Sequence, residues 1–490
     1  MSDINKFHLK KIDIFFVIIL FVFSLFIIFS KINLSQLDDW DEGIYANISG
    51  DIVENNNWFT QKLQGLDWYE KEPLPYWLMA ISIKTLGFNV FAVRFPFAIL
   101  SAFIAPLIYL ISNYYTDKKI YSFLLSIVFF VNPILWNKHS PETGNFDTMN
   151  LSLFLLSITL YLYLRDSKKF WISALFISLT LMTRGVMGFL FFSIIILSEL
   201  TRPLFNLKRW STKKIILFLF ISITPWIFWH TYSLIYGGKE YINIYWKEQF
   251  FSRIDSPLQG HHGTYRYYID FVNWLSPDLL KIFFLSLITA LYLIIKKQWQ
   301  YFIFLIWFIF IIVPIQIMQT KLAWYIIPAL PIFYLMPMLS FLDIFKKTLQ
   351  KYKAFYILFT ILIIFYATKV SIINTKKIFL EQNNSDKNFI EISISYLPED
   401  KPNILLYETE GWIKGRTLPT FYWYLYFENQ KKPLYTDRNV LKNKRIDLSL
   451  YNYIIVENDN LKTLDELSKI FTYKKIYNDD KFTLIHIEKI

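Results

Sequence analysis

Two charged clusters share one loop just after the first apolar run of the chain: Trp40-Asp41-Glu42-Gly43-Ile44-Tyr45, then Tyr69-Glu70-Lys71-Glu72-Pro73-Leu74-Pro75-Tyr76-Trp77. Charge held beside hydrocarbon is costly to desolvate, so clusters placed there point to a site. Carboxylates suit proton transfer and a lysine suits an anion. Asp39 with Glu42 has capping-box spacing, which accounts for those two without chemistry and leaves Asp41 as the catalytic candidate, with Glu42 beside it. Glu70 and Lys71 form either a surface ion pair or part of a site, and Pro73 and Pro75 start a helix that fixes them at the approach to the membrane.

Further along, Asp147 lies in Gly144-Asn145-Phe146-Asp147-Thr148, where a loop enters an apolar span; it is a helix cap or a second catalytic acid. Arg184-Gly185 occupies a short outer turn, where a basic residue calls for a fixed anionic partner or ligand. His261 and His262 are adjacent, so at most one is expected to serve a given site. Lys321 and Tyr325, in Lys321-Leu322-Ala323-Trp324-Tyr325, are interfacial anchors or site residues. What favours a site is that Asp41, Glu70, Lys71, Asp147, Arg184, His261, Arg266, Lys321 and Tyr325 all fall on one side of the membrane by the topology that follows.

The chain has 490 residues, 54% hydrophobic and 20% aromatic, with a net charge of +12. Apolar segments centre on Ile14 to Phe29, Phe91 to Ser112, Ile120 to Trp136, Thr148 to Leu164, Phe170 to Leu181, Val186 to Leu197, Ile215 to Tyr236, Leu279 to Ile295, Tyr301 to Gln316, Ala323 to Leu342 and Ala354 to Val370. This predicts a polytopic α-helical membrane protein of about eleven to thirteen spans, each of roughly 20 residues. Lys10, Lys118, Lys119, Arg165, Lys168, Arg202, Lys208, Lys213, Lys296, Lys346 and Lys351 then fall on alternate loops of one side, which the positive-inside rule makes cytoplasmic. Much of the positive charge is therefore topological, and nucleic-acid binding is not expected.

The first apolar stretch follows lysines and has no small-residue cleavage site, so a retained helix is expected. There are no cysteines, which excludes disulfides and thiolate chemistry. Two outer segments are too long for turns, about 31–90 and 237–277; the aromatic residues of the first suit interfacial helices, and the second is polar and aromatic. From residue 372 apolar runs shorten to strand length at Ile404 to Tyr407, Tyr453 to Val456 and Thr483 to Ile487, and Leu461 to Phe471 has helical spacing. The expected division is a transmembrane domain over 1–371 and a small soluble α/β domain outside the membrane over 372–490.

The strings WDEGIYANIS, YEKEPLPYW, the aspartate at 147, TRGVMG, HHGTYRYY and KLAWYIIPALP resemble, in order, the motifs of bacterial GT-C glycosyltransferases of the aminoarabinose-transferase and protein O-mannosyltransferase type. The resemblance implies a sugar moved from a polyprenyl-phosphate donor to an envelope acceptor, lipid A or another glycolipid first and a protein second. It implies a monomer in contact with membrane lipids, in the bacterial inner membrane, with its carboxy-terminal domain periplasmic. Asp41 and Asp147 would be the catalytic aspartates; Lys71, Arg266 and Tyr325 would hold the donor phosphate. Glu70 and His261 would ligate a divalent metal, zinc, manganese or magnesium. The chain departs from the motifs at Glu72, where Glu-Lys-Pro-Pro is common, and at Arg184-Gly185-Val186, where Lys-Gly-Pro is common.

The competing class is a transporter or flippase of lipid-linked sugars, but such proteins hold substrate near the bilayer midplane, whereas these ionisable residues gather at the outer face. A scaffold reading leaves the first-loop carboxylates unexplained. The topology has a direct test. Reporter fusions after Lys208 and Lys297 should read as cytoplasmic and one after Asn56 as external; a cytoplasmic signal at Asn56 would place the two acidic clusters on the wrong side.

Overall fold

In the computed structural model, residues 10–38, 40–116, 118–257, 260–351, 361, 369–378, 385–397, 404–408, 419–431, 433–437, 451–458, 464–465 and 467–489 are described. Eight helices among them are long and apolar enough to cross a membrane: Lys11–Lys31, Val90–Thr116, Phe146–Leu164, Gly185–Phe205, Thr212–Asp255, Pro277–Ile295, Trp299–Ile317 and Ala323–Phe345. Two shorter apolar helices, Lys119–Phe130 and Trp171–Leu181, match the remaining described spans read from the sequence. The span expected over 354–370 lies largely outside the described residues. The protein is a multi-pass membrane protein.

The described residues form two compact units, one of 1–31, 69–75 and 97–381, the other of 32–68, 76–96 and 382–490. The grouping differs from a single cut at 371/372, because most of the first outer loop joins the carboxy-terminal residues. The reason is visible in the packing of the Asp41–Asn55 helix, buried from Glu42 to Ile52. It is a core element of the second unit. Its Asn47 amide donates to the Pro419 carbonyl at 2.7 Å, and the Tyr426 hydroxyl donates to Glu54 at 2.9 Å. Gly43 and Gly50 make this contact possible, since a Cβ at 43 would meet Thr420 Oγ1 at 2.8 Å and one at 50 would meet the Phe427 ring at 2.6 Å.

The same unit carries a five-stranded mixed sheet, preceded in the chain by the Lys62–Leu63 and Leu66–Asp67 hairpin, β1 and β2. Its strands are β3 (Ile404–Glu408), β4 (Leu434–Asp437), β5 (Tyr453–Glu457), β6 (Thr472–Asn478) and β7 (Phe482–Lys489), in the order β4-β3-β5-β7-β6. β3 pairs in parallel with β4 and β5, while β7 runs antiparallel to β5 and β6. Tyr451, Ile454, Val456, Leu467, Phe471 and Ile485 form its core. Three strands coincide with the runs read from the sequence. β4 and β6 were not anticipated, and β6 reads as mostly exposed, with too little apolar alternation to signal a strand.

In the first unit the segment expected as a loop over 237–277 begins as helix. The Thr212–Tyr241 helix bends at Gly238 (φ 51°, ψ −126°) and continues as a wider π-type helix over Ile242–Phe251. Gly238 tolerates that backbone where an L-residue would be strained. The Tyr267–Leu275 helix follows, held by buried Tyr268 and Val272.

Glu42 anchors the first outer loop rather than completing a capping box. Asp39 lies outside the described residues, and the Asp41–Asn55 helix has Trp40 as its cap without a side-chain bond. Arg94 instead grips both Glu42 oxygens, at 2.7 and 2.8 Å, and donates to the carbonyls of Ile32, Ser35 and Gln36 at 2.6–3.0 Å. Both side chains are 0% exposed. Removing one partner of such a pair strands a buried charge, so Arg94→Leu and Glu42→Gln should each cost roughly 3–5 kcal/mol. Thermal unfolding of purified protein in detergent measures this; a loss under about 1 kcal/mol, typical of exposed ion pairs, would deny the pair its anchoring role.

Candidate active site

Asp147 stands in the first turn of the Phe146–Leu164 helix, 3% exposed, after an extended Asn145 that makes no side-chain cap. Its carboxylate is not a cap either. One oxygen meets His139 Nδ1 at 2.5 Å and the other takes an ion pair from the Arg184 guanidinium. His139 reaches it from a left-handed backbone (φ 52°) and stacks on Trp324 with ring centroids 3.9 Å apart. A non-glycine residue held in that region is strained, and such strain gathers at functional sites.

The cluster extends from Arg184, whose guanidinium lies 6.0 Å from the Tyr325 ring centre. The Tyr325 hydroxyl accepts from Arg253 at 2.7 Å. Lys71 places its ammonium 5.7 Å from the Phe146 ring and acts on the Asp147 charge. Thus the structure gathers Lys71, Asp147, Arg184 and Tyr325. It adds His139, Trp324 and Arg253, which the sequence did not single out; the polar, aromatic character of 237–277 was the only signal for Arg253. Among the described residues the buried Trp324 indole N–H has no partner, and it is a donor from which a bound oxygen could accept.

Other candidates lie elsewhere. Arg266 is 60% exposed and pairs with Asp270 at 3.3 Å, one turn along its own helix. Lys321 is buried and donates to the carbonyls of Ile315 and Gln316 at 3.0 and 2.7 Å. These belong to the last turn of the Trp299–Ile317 helix, so Lys321 caps its negative end. Burial pulls its ammonium below the usual lysine range. Asp41 belongs to the second unit, half-buried at the start of its helix, with Glu42 already committed to Arg94.

Glu70 is half-buried and His261 exposed, and the His261 carbonyl accepts from the Lys321 N–H at 2.9 Å. Among the described residues no group of three or more His, Asp or Glu side chains is placed to hold a metal ion. The two ligands implied by the motifs are not completed by a third protein group, and no step is derived through a metal. Glu72, not Glu70, is the buried acid of that segment. Burial would raise its carboxyl, but His230, the Tyr245 hydroxyl and the Gly185 N–H together hold it below the usual glutamate range.

The arrangement joins three cations to one paired carboxylate at the mouth of apolar helices, which suits an anion whose remaining substituent is hydrocarbon. Comparison with known proteins agrees with that setting. Residues 70–229 match the dolichyl-phosphate-mannose-protein mannosyltransferase family. The crystal structure of ArnT from Cupriavidus metallidurans bound to undecaprenyl phosphate superposes with a TM-score of 0.67 over 96% of this chain and 97% of that one, at 14% identity. The chain has the GT-C fold. An uncharacterised Aquifex aeolicus protein is 28% identical over 61% of this chain and 59% of its own length. The undecaprenyl phosphate-alpha-4-amino-4-deoxy-L-arabinose arabinosyl transferase of Wigglesworthia glossinidia brevipalpis is 26% identical over 65% of this chain and 57% of its own length. The matched stretch thus spans less than two thirds of these relatives. The likeness to the aminoarabinose-transferase and mannosyltransferase group read from the motifs is the one these comparisons show.

The two partners of Asp147 should differ in cost. Arg184→Ala leaves a buried carboxylate without its cation and should lose roughly 3–5 kcal/mol. His139→Ala removes one hydrogen bond and should lose about 1–3 kcal/mol. Equal losses in thermal unfolding would mean that Arg184 is not the principal charge partner.

Proposed function

We propose that the protein is an inverting glycosyltransferase that moves a sugar from a polyprenyl-phosphate donor to a lipid or glycan acceptor on the outer face of the bacterial inner membrane, with its carboxy-terminal domain extracytoplasmic. The observation that carries this reading is the convergence of Lys71, Arg184 and Arg253 around Asp147 and Tyr325. The positive-inside pattern supports the orientation.

The chemistry follows from charge. In a single displacement the acceptor oxygen attacks the anomeric carbon, the bond from that carbon to the phosphate oxygen breaks, and the acceptor proton passes to a base. The leaving phosphate gains negative charge as the bond lengthens. Preorganised cations stabilise it most where water is excluded. Lys71, Arg184 and Arg253 supply that charge, and the Tyr325 hydroxyl and Trp324 N–H supply neutral donors. Arginine suits phosphate because its fork can bind two oxygens at once. Asp41 is assigned as the base on the strength of its motif, and attack opposite the leaving group inverts the anomeric centre without a glycosyl-enzyme intermediate. A divalent metal at Glu70 and His261 is a separate proposal that the reaction as written does not require. Whether the sugar is a pentose or a hexose is a question for the donor panel; a 4-amino-4-deoxypentose is the first choice by likeness to the relatives.

Purified protein supplied with polyprenyl-phosphate sugars and a panel of lipid A, other glycolipid and protein acceptors tests the activity directly. Asp41→Asn should lower turnover by at least ~10²-fold with normal expression. Arg253→Ala should weaken polyprenyl-phosphate binding by about 10-fold or more, and Arg266→Ala by much less. The reverse order would return the phosphate to the exposed arginine, and absence of transfer from every donor would end the enzymatic reading.

A further inference from the structure

Glu72 has no part in the chemistry assigned so far, yet it is the most constrained acid near the site. It is 2% exposed. Its Oε1 accepts from the Tyr245 hydroxyl at 2.5 Å, and His230 Nε2 stands 3.5 Å away. The approach to Gly185 is so close that a Cβ there would lie 2.3 Å from Glu72 Oε1. Two residues on, the Leu74 N–H donates to the Met182 carbonyl at 3.1 Å. The segments 72–74 and 182–185 are therefore tied side by side at two points. Tyr69 of the same segment packs with Tyr241 and Tyr245, its ring 5.9 Å from that of Tyr241 and fitting only because residue 237 is glycine.

The sequence neighbours of the tied residues make the contact matter. Lys71 immediately precedes Glu72, and Arg184 immediately precedes Gly185. We infer that Glu72 is a positioning residue that clamps the Lys71 and Arg184 segments together, so that both cations face one phosphate. The inference rests on the donor site proposed above and adds the device that sets its spacing. A carboxylate suits the task because a single charged oxygen, Oε1, accepts from the Tyr245 hydroxyl, faces the His230 imidazole and lies against Gly185. An amide carries no charge, so its oxygen accepts more weakly and does not attract the imidazole. Cations misplaced by an ångström bind a leaving group poorly, so a loosened clamp should register at the phosphate.

The test uses full-length protein in nanodiscs, with amide hydrogen exchange and undecaprenyl phosphate binding measured on the same samples. In Glu72→Gln, exchange should quicken by about 10-fold in both 69–75 and 182–187 while the other helices keep their protection. Undecaprenyl phosphate should bind about 10-fold more weakly. Added to a Lys71→Ala/Arg184→Ala background, Glu72→Gln should cause no further loss of binding, because it acts through those cations. Tyr245→Phe, which removes one donor to the same carboxylate, gives the same pattern in weaker form and serves if Glu72→Gln does not fold. Unchanged exchange in either segment overturns the clamp, as does an equal loss of affinity in the cation-free background. If the wild-type protein does not bind undecaprenyl phosphate, the donor reading fails, and the exchange result alone decides whether Glu72 holds the two segments.

Discussion

A carboxylate carried to the edge of a bilayer has to be neutralised where it sits, because the surroundings cannot solvate it. That requirement organises both units. Glu42 takes Nε and one terminal nitrogen of Arg94. Asp147 takes Arg184 and His139. Glu72 takes the Tyr245 hydroxyl, with the His230 imidazole 3.5 Å away. Each pairing joins segments distant in sequence, so electrostatic need becomes a set of fixed points for the outer loops.

In the second unit those fixed points turn the first outer loop into part of a folded domain. Arg94 gathers the carbonyls of residues 32, 35 and 36, and the Asp41–Asn55 helix packs through its glycines 43 and 50 against the aromatic 419–428 segment. Leu37 is tied to the Tyr424 hydroxyl and Gln36 to the Lys387 N–H, both at 2.9 Å. The carboxy-terminal residues thereby set the position of the helix on which Asp41 stands.

In the first unit neutralisation leaves a surplus of positive charge. Arg184 is shared between Asp147 and the Tyr325 ring, while Arg253 reaches the Tyr325 hydroxyl from the end of the long helix that bends at Gly238. Tyr325 thus links cations from two elements. Lys321, four residues earlier, is spent on helix carbonyls, so proximity in sequence to a site residue is no guide to a shared role.

The amino-acid sequence by itself determined the membrane class, because runs of apolar residues at the length of a bilayer leave little alternative, and it determined three of the five sheet strands through their short β-branched runs. It also placed Lys71, Asp147, Arg184 and Tyr325 among the site candidates, since charge at an outer membrane boundary needs a reason. The same rule applied to Arg94, alone in the apolar run Phe91-Ala92-Val93-Arg94-Phe95, would have found the partner of Glu42. Only the tertiary structure decided which basic residue meets which acid. Arg253 rather than Arg266 reaches Tyr325, because a helix continues where composition suggested a loop, and Glu72 rather than Glu70 is buried, because glycine at 185 leaves room for its carboxylate. Such pairings depend on backbone paths through space, and local composition carries no record of them.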